Sequence, residues 1–178
     1  MRVFVAVMVP DAARAALASG VSALRDVNSA LAWELPERWH ITLSFLGDVD
    51  ESSLGELTPR LEWAASRTQP FRLRLAGVGR FGNRVLYAKV VADRAALRRL
   101  AERTTAAARR AGVELPDERY RPHVTLARSR KGSDLRALVD AGLDLVTPEW
   151  QVDEFVVVHS ILGPDRRYEI LGSHALSS

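Results

Sequence analysis

Cysteine is absent from this chain of 178 residues, and the absence removes a disulfide framework, a thiol nucleophile and any Cys-ligated zinc or iron–sulfur site. Histidine is scarce. It occurs at positions 40, 123, 159 and 174, with no His-Glu-x-x-His or His-x-x-Glu-His cluster. A metal site would have to draw on scattered carboxylates, so neither a metal nor another cofactor is expected. Long apolar runs are also missing. The opening Met1-Arg2-Val3-Phe4-Val5-Ala6-Val7 is short and is broken by Pro10-Asp11, so it fits neither a signal peptide nor a membrane span. A cytoplasmic location without membrane contact is expected. Lysine is nearly absent: Lys89 and Lys131 are the two, and the formal net charge of +3 rests on arginine. The planar guanidinium suits phosphate recognition, yet an Arg- and Ala-rich sequence equally reflects genome composition. The charge alone names no partner. No low-complexity linker interrupts the chain, whose length fits one domain or two small lobes sharing a core.

What is present is a repeated tetrapeptide. His40-Ile41-Thr42-Leu43 returns as His123-Val124-Thr125-Leu126, at a spacing of 123 − 40 = 83 residues, about half the chain. Each copy alternates polar and apolar residues, the period-2 pattern of a half-buried strand. The His and Thr of each copy therefore share one face of a pleated strand and the aliphatic residues take the other. A single His-x-Thr is more often a solvated strand face, but two copies half a chain apart suggest two similar lobes facing each other.

Around the motifs, Arg2 to Val9 alternates as a strand, and a helix follows over Ala12 to Leu31 with Leu17, Val21 and Leu24 on one side. Trp33 to Leu35 is a short extended piece before Pro36. Trp39, Ile41, Leu43 and Phe45 are expected on the core face of the first motif strand. Asp50-Glu51-Ser52 starts a second helix through Leu54, Leu57 and Leu61. Phe71 to Leu75 and Val85 to Val91 read as a hairpin with a turn over Gly77 to Asn83. Asp93 then caps a helix ending at Gly112. Pro122 places His123 just inside the second motif strand. A short helix over Asp134 to Leu143, a strand over Trp150 to Ile161 and a returning strand at Tyr168 to Leu171 complete the pattern. Helices interleave with hairpins, so the class is α+β, with mixed or antiparallel sheets flanked by helices.

Two imidazoles and two hydroxyls lining one cleft suit phosphate chemistry. Histidine ordinarily titrates at about 6.5, so one copy can be neutral while the other is protonated. Opening a cyclic phosphodiester needs both states at once: a base takes a proton from attacking water, and an acid protonates the leaving sugar oxygen. No metal or covalent intermediate is required.

Arg2-Val3-Phe4-Val5-Ala6, Trp39-His40-Ile41-Thr42-Leu43-Ser44-Phe45-Leu46-Gly47 and Arg121-Pro122-His123-Val124-Thr125-Leu126-Ala127-Arg128 together resemble the two-histidine phosphoesterase superfamily. The likeness is to its bacterial RNA 2′,3′-cyclic phosphodiesterases, also called 2′-5′ RNA ligases, and runs essentially end to end. It implies one bilobal domain over residues 1–178, with two pseudo-symmetric lobes and the active-site cleft between them. It further implies that His40 is the proton donor, that His123 is the proton acceptor, and that Thr42 and Thr125 hold the phosphate of an RNA or oligonucleotide with a 2′,3′-cyclic phosphate end. A monomer is expected. The same acid and base would serve a 2′-5′ ligase-like joining of a cyclic phosphate to a 5′-hydroxyl, and a catalytically idle RNA-end binding module is the reading from a different class.

In the family, the positions of Phe45 and Arg128 help to hold the base and the phosphate. Each lies five residues after its histidine, an odd offset that faces away on a regular strand. Either the strands are bulged there or these residues are structural; the sequence reading favours a functional Arg128 and a core Phe45. His159, inside an apolar strand, reads as structural, and His174 as solvated. Gly77-Val78-Gly79-Arg80-Phe81-Gly82 spells a dinucleotide-binding pattern but opens no helix, so that reading fails on context.

Overall fold

The computed structural model describes residues 1–177. Its first sheet is antiparallel, in the order β3 (His40–Asp48), β1 (Arg2–Met8), β8 (Glu154–Ile161), β9 (Arg167–Ala175). β1 is an inner strand and is apolar on both faces as a result. Val3, Val5 and Val7 enter the main core, while Phe4 and Ala6 join Val156 and Val158 in a smaller cluster with Met8 and Tyr168 alongside.

The second sheet is also antiparallel, in the order β2 (Ala32–Trp33), β6 (His123–Arg128), β5 (Val85–Ala92), β4 (Phe71–Phe81), β7 (Trp150–Val152). Helices α2 (Glu51–Ser66) and α3 (Arg94–Arg110) pack on the first sheet, α4 (Arg136–Ala141) packs on β4, and α1 (Asp11–Val27) lies against α4. Ala13, Leu17, Val21 and Leu24 of α1 recur every three or four residues and all are buried. Burial of each such leucine contributes about 2 kcal/mol. Asp50 caps α2 by accepting the Ser53 N–H at 2.7 Å, and Asp93 caps α3 by accepting those of Ala95 and Ala96. The fold is α+β with two antiparallel sheets, one per lobe. Among the described residues no helix is long and apolar enough to cross a membrane.

Three local expectations need correction. The stretch expected as one strand from Trp150 to Ile161 is two, broken at Asp153, with β7 in one sheet and β8 in the other. The chain passes between the lobes there. The turn expected over Gly77 to Asn83 is largely strand, and the chain reverses only after Phe81. Gly77, at φ +81°, sits in the irregularity between Leu75 and Val78, where β4 departs from regular pairing. Helix α1 ends at Val27, short of the expected Leu31.

Candidate active site

The motif strands β3 and β6 belong to different sheets and pack against each other where the lobes meet. Ile41, Leu43, Val124 and Leu126 are buried, and His40, Thr42, His123 and Thr125 are half-buried between them. That is the alternation a period-2 strand imposes. Tyr120 ties the lobes together by donating its hydroxyl hydrogen to the Thr42 carbonyl at 2.9 Å, and its burial holds the phenol well above its ordinary value, so it stays a donor.

The two imidazoles sit in matching settings. His40 Nδ1 lies 2.6 Å from the Arg38 carbonyl, and His123 Nδ1 lies 2.7 Å from the Arg121 carbonyl. A carbonyl only accepts, so each Nδ1 carries the hydrogen and each Nε2 is left to exchange protons. Both rings are braced by aromatics. His40 stacks on Phe4 with centroids 4.6 Å apart and meets the edge of Tyr168 at 5.7 Å. His123 meets Phe81 edge-on at 4.9 Å and Tyr87 at 5.6 Å, and those two rings stack at 4.3 Å. Gly79 makes room for Tyr87, because a Cβ there would lie 2.5 Å from the phenol ring. The glycine-rich spelling thus serves the bracing of His123.

Both strands are bulged after the motif. In β3 the pairing with β1 skips Leu43 and then Leu46, and in β6 the pairing with β5 skips Leu126. One extra residue turns later side chains to the opposite face. Ser44 is therefore buried, with its hydroxyl 2.7 Å from that of Thr104 and 2.8 Å from that of Thr105 on α3. Phe45 emerges at 50% exposure with the Arg2 guanidinium 5.1 Å from its ring centre. The expected core position for Phe45 is corrected by this bulge. Trp39 does fill the core, with its indole N–H left unpaired. Arg128 is exposed, beyond the bulge on the side of His123 and Thr125.

Electrostatics tie these groups into one site. Burial lowers the proton affinity of His40; the Arg38 carbonyl and the Glu34 carboxylate oppose this, and His123 and Arg128 add to it. Burial also lowers that of His123, opposed by the Arg121 carbonyl and reinforced by Arg128. Arg128 thus acts on both histidines, and His123 acts on His40. Glu34, Arg38, Tyr120 and the bracing aromatics went unread in the sequence. Glu34 reaches the site because its backbone N–H bonds the Leu126 carbonyl at 2.8 Å, continuing the pairing of β2 with β6, and a two-residue strand leaves no periodic signal.

The other histidines lie apart from this cluster. His159 Nδ1 is 3.7 Å from the Glu169 carboxylate on β9. His174, expected in solvent, is buried with its ring 5.2 Å from that of Phe155. Among the described residues no group of three or more His, Asp or Glu side chains could hold a metal ion.

The chain is similar to known proteins in sequence and in fold. The profile of the 2′-5′ RNA ligase superfamily matches residues 9–163. An RNA 2′,3′-cyclic phosphodiesterase of Thermus thermophilus is 36% identical over 181 residues, covering 92% of this chain and 84% of the relative. Its namesake in Archaeoglobus fulgidus is 34% identical over 169 residues, with 92% and 93% of the two chains covered. A crystal structure of a Thermus thermophilus protein superposes with a TM-score of 0.83 at 33% identity, spanning 99% of this chain and 98% of the other. Two His-x-Thr strands meeting between two antiparallel sheets thus accompany a family match along most of the sequence, and the chain belongs to the 2′-5′ RNA ligase superfamily.

Proposed function

We propose that this protein is a metal-independent RNA 2′,3′-cyclic phosphodiesterase that opens cyclic ends to 2′-phosphates. The observation that carries the reading is the pairing of two imidazoles, each with Nδ1 committed to a backbone carbonyl and Nε2 free, within electrostatic reach of each other and of Arg128. The names of the relatives support the substrate class.

In the reaction, Nε2 of neutral His123 takes a proton from water as its oxygen attacks phosphorus. Nε2 of protonated His40 gives its proton to the departing 3′ oxygen. The P–O3′ bond breaks, and the products are a 2′-phosphate and a free 3′-hydroxyl. Thr42, Thr125 and Arg128 hold the non-bridging oxygens. The anionic phosphate counters the burial that lowers both histidines, so protonated His40 is favoured once substrate is bound. Glu34 acts on His40 and no carboxylate is among the groups that act on His123, which supports His40 as the acid. Action as a monomer in the cytoplasm is part of the same proposal.

The test is turnover of a short RNA with a 2′,3′-cyclic phosphate end. Removing a general acid or base costs about 10²- to 10⁴-fold, so His40→Ala and His123→Ala should each lose that much kcat. Thr42→Ala and Thr125→Ala should lose less, and folded His159→Ala should keep wild-type rates. A motif-histidine variant with wild-type turnover would contradict the reading.

A further inference from the structure

The carboxylate that acts on His40 is built into the structure on the side of that histidine. Glu34 lies in the connection between β2 and β3, and its side chain is 12% exposed. One oxygen is 3.4 Å from the Arg38 guanidinium and the other is 3.8 Å from that of Arg166, in the turn between β8 and β9. Arg38 links the groups further, because its carbonyl accepts from His40 Nδ1 at 2.6 Å and its guanidinium also donates to the Arg166 carbonyl. The same guanidinium sits 5.9 Å from the ring centre of Tyr168, whose edge meets His40. The backbone of Glu34 is held by the Leu126 carbonyl within the strand that carries His123. A carboxylate anchored on one lobe is thereby clamped by Arg38, the residue whose carbonyl holds the histidine of the other.

We infer that Glu34, clamped by Arg38 and Arg166, is a positioning residue that sets a fixed negative charge beside His40 and so makes this histidine the proton carrier of the pair. An exposed ion pair would be worth little, but a carboxylate this enclosed is weakly screened. It is also the one acidic group among those acting on His40, against His123 and Arg128 from β6, and it carries the Arg38 and Arg166 guanidiniums as its own partners; Tyr168 on β9 and Phe4 on β1 supply aromatic faces without a full charge. Burial, His123 and Arg128 all favour the neutral ring, and Glu34 together with the Arg38 carbonyl opposes them. His123 lies beside Arg128 without such a carboxylate. Glu34 is thus the carboxylate by which the setting of His40 differs from that of His123.

The inference rests on His40 being the acid, and its test needs no substrate, so its failure is distinct from a failure of the hydrolysis assay. Proton titration of the imidazoles by NMR in the full chain reads each histidine separately. Glu34→Gln keeps the shape and removes the charge, and Glu34→Asp keeps the charge on a shorter arm. In Glu34→Gln the His40 midpoint should fall by roughly half to one pH unit, as expected for one charge nearby at intermediate dielectric. His123 should move much less, and His159 and His174 not at all. Glu34→Asp should hold His40 nearer to the wild-type midpoint than to that of Glu34→Gln. In the kcat/KM profile, one limb should move to lower pH in Glu34→Gln and the other stay. An unmoved His40 midpoint in Glu34→Gln, or equal shifts in the Gln and Asp variants, would overturn the assignment and reduce Glu34 to a structural contact.

Discussion

Each motif histidine spends Nδ1 on the carbonyl two residues before it, which leaves Nε2 for proton exchange. The pH dependence follows from their settings. Both side chains are held below the ordinary value of 6.5, first by burial, and kcat/KM reports the free enzyme. Activity needs one ring charged and one neutral, so kcat/KM should be bell-shaped with its centre below pH 6.5. A profile flat from about pH 5 to 9, around the reference near 6.5, would show that the pair is not the acid and base. Phe45, half-exposed beyond the bulge of β3, is open to a stacking base, the role that the family resemblance implies for its position. Stacking of a base on an aromatic ring is worth about 1–3 kcal/mol, so Phe45→Ala should raise KM for a cyclic-ended oligonucleotide roughly 5- to 150-fold and leave kcat nearly unchanged. An unaltered KM would count against base stacking there.

Among the elements, the motif strands were the most legible in the sequence and their ends the least. Residues 40–43 and 123–126 lie before their bulges or at them, so a period of two assigns the His and Thr faces correctly. Beyond Leu43 the period breaks. A bulge has no compositional mark, which is why Phe45 read as core, when the structure exposes it and buries Ser44. The break in strand at Asp153 was hidden for a different reason: strand-forming residues lie on both sides of it, and composition does not say which sheet a strand joins. Ser44 offers a check on the bulge. Its hydroxyl is buried against Thr104 and Thr105, so Ser44→Ala should cost about 1 kcal/mol of stability by the usual net worth of such a bond. Denaturant unfolding measures this; a neutral result would mean that the hydroxyl is not enclosed.

Over the whole molecule, burial of histidine links stability to pH. His40, His123 and His174 are all lowered, chiefly by burial, so below 6.5 the unfolded chain binds protons that the folded chain does not. Stability is then complete above 6.5 and is lost as pH falls toward the folded values. Melting should occur at lower temperature at pH 5.5 than at pH 7.5, and a His40→Gln/His123→Gln double variant should show a smaller drop. An equal drop would place its origin elsewhere. Activity should survive exhaustive chelation, since the two histidines suffice for the proton transfers; loss on chelation with recovery on adding a divalent ion would sink that mechanism. Attack in line with the departing oxygen needs base and acid on opposite sides of phosphorus, and His40 and His123 stand on strands of different sheets that pack against each other. The most direct measurement is therefore the identity of the product, read by phosphorus NMR, from a short RNA with a 2′,3′-cyclic phosphate end. The account predicts a 2′-phosphate with a free 3′-hydroxyl and no 3′-phosphate; a 3′-phosphate product, or an unopened ring, would contradict it.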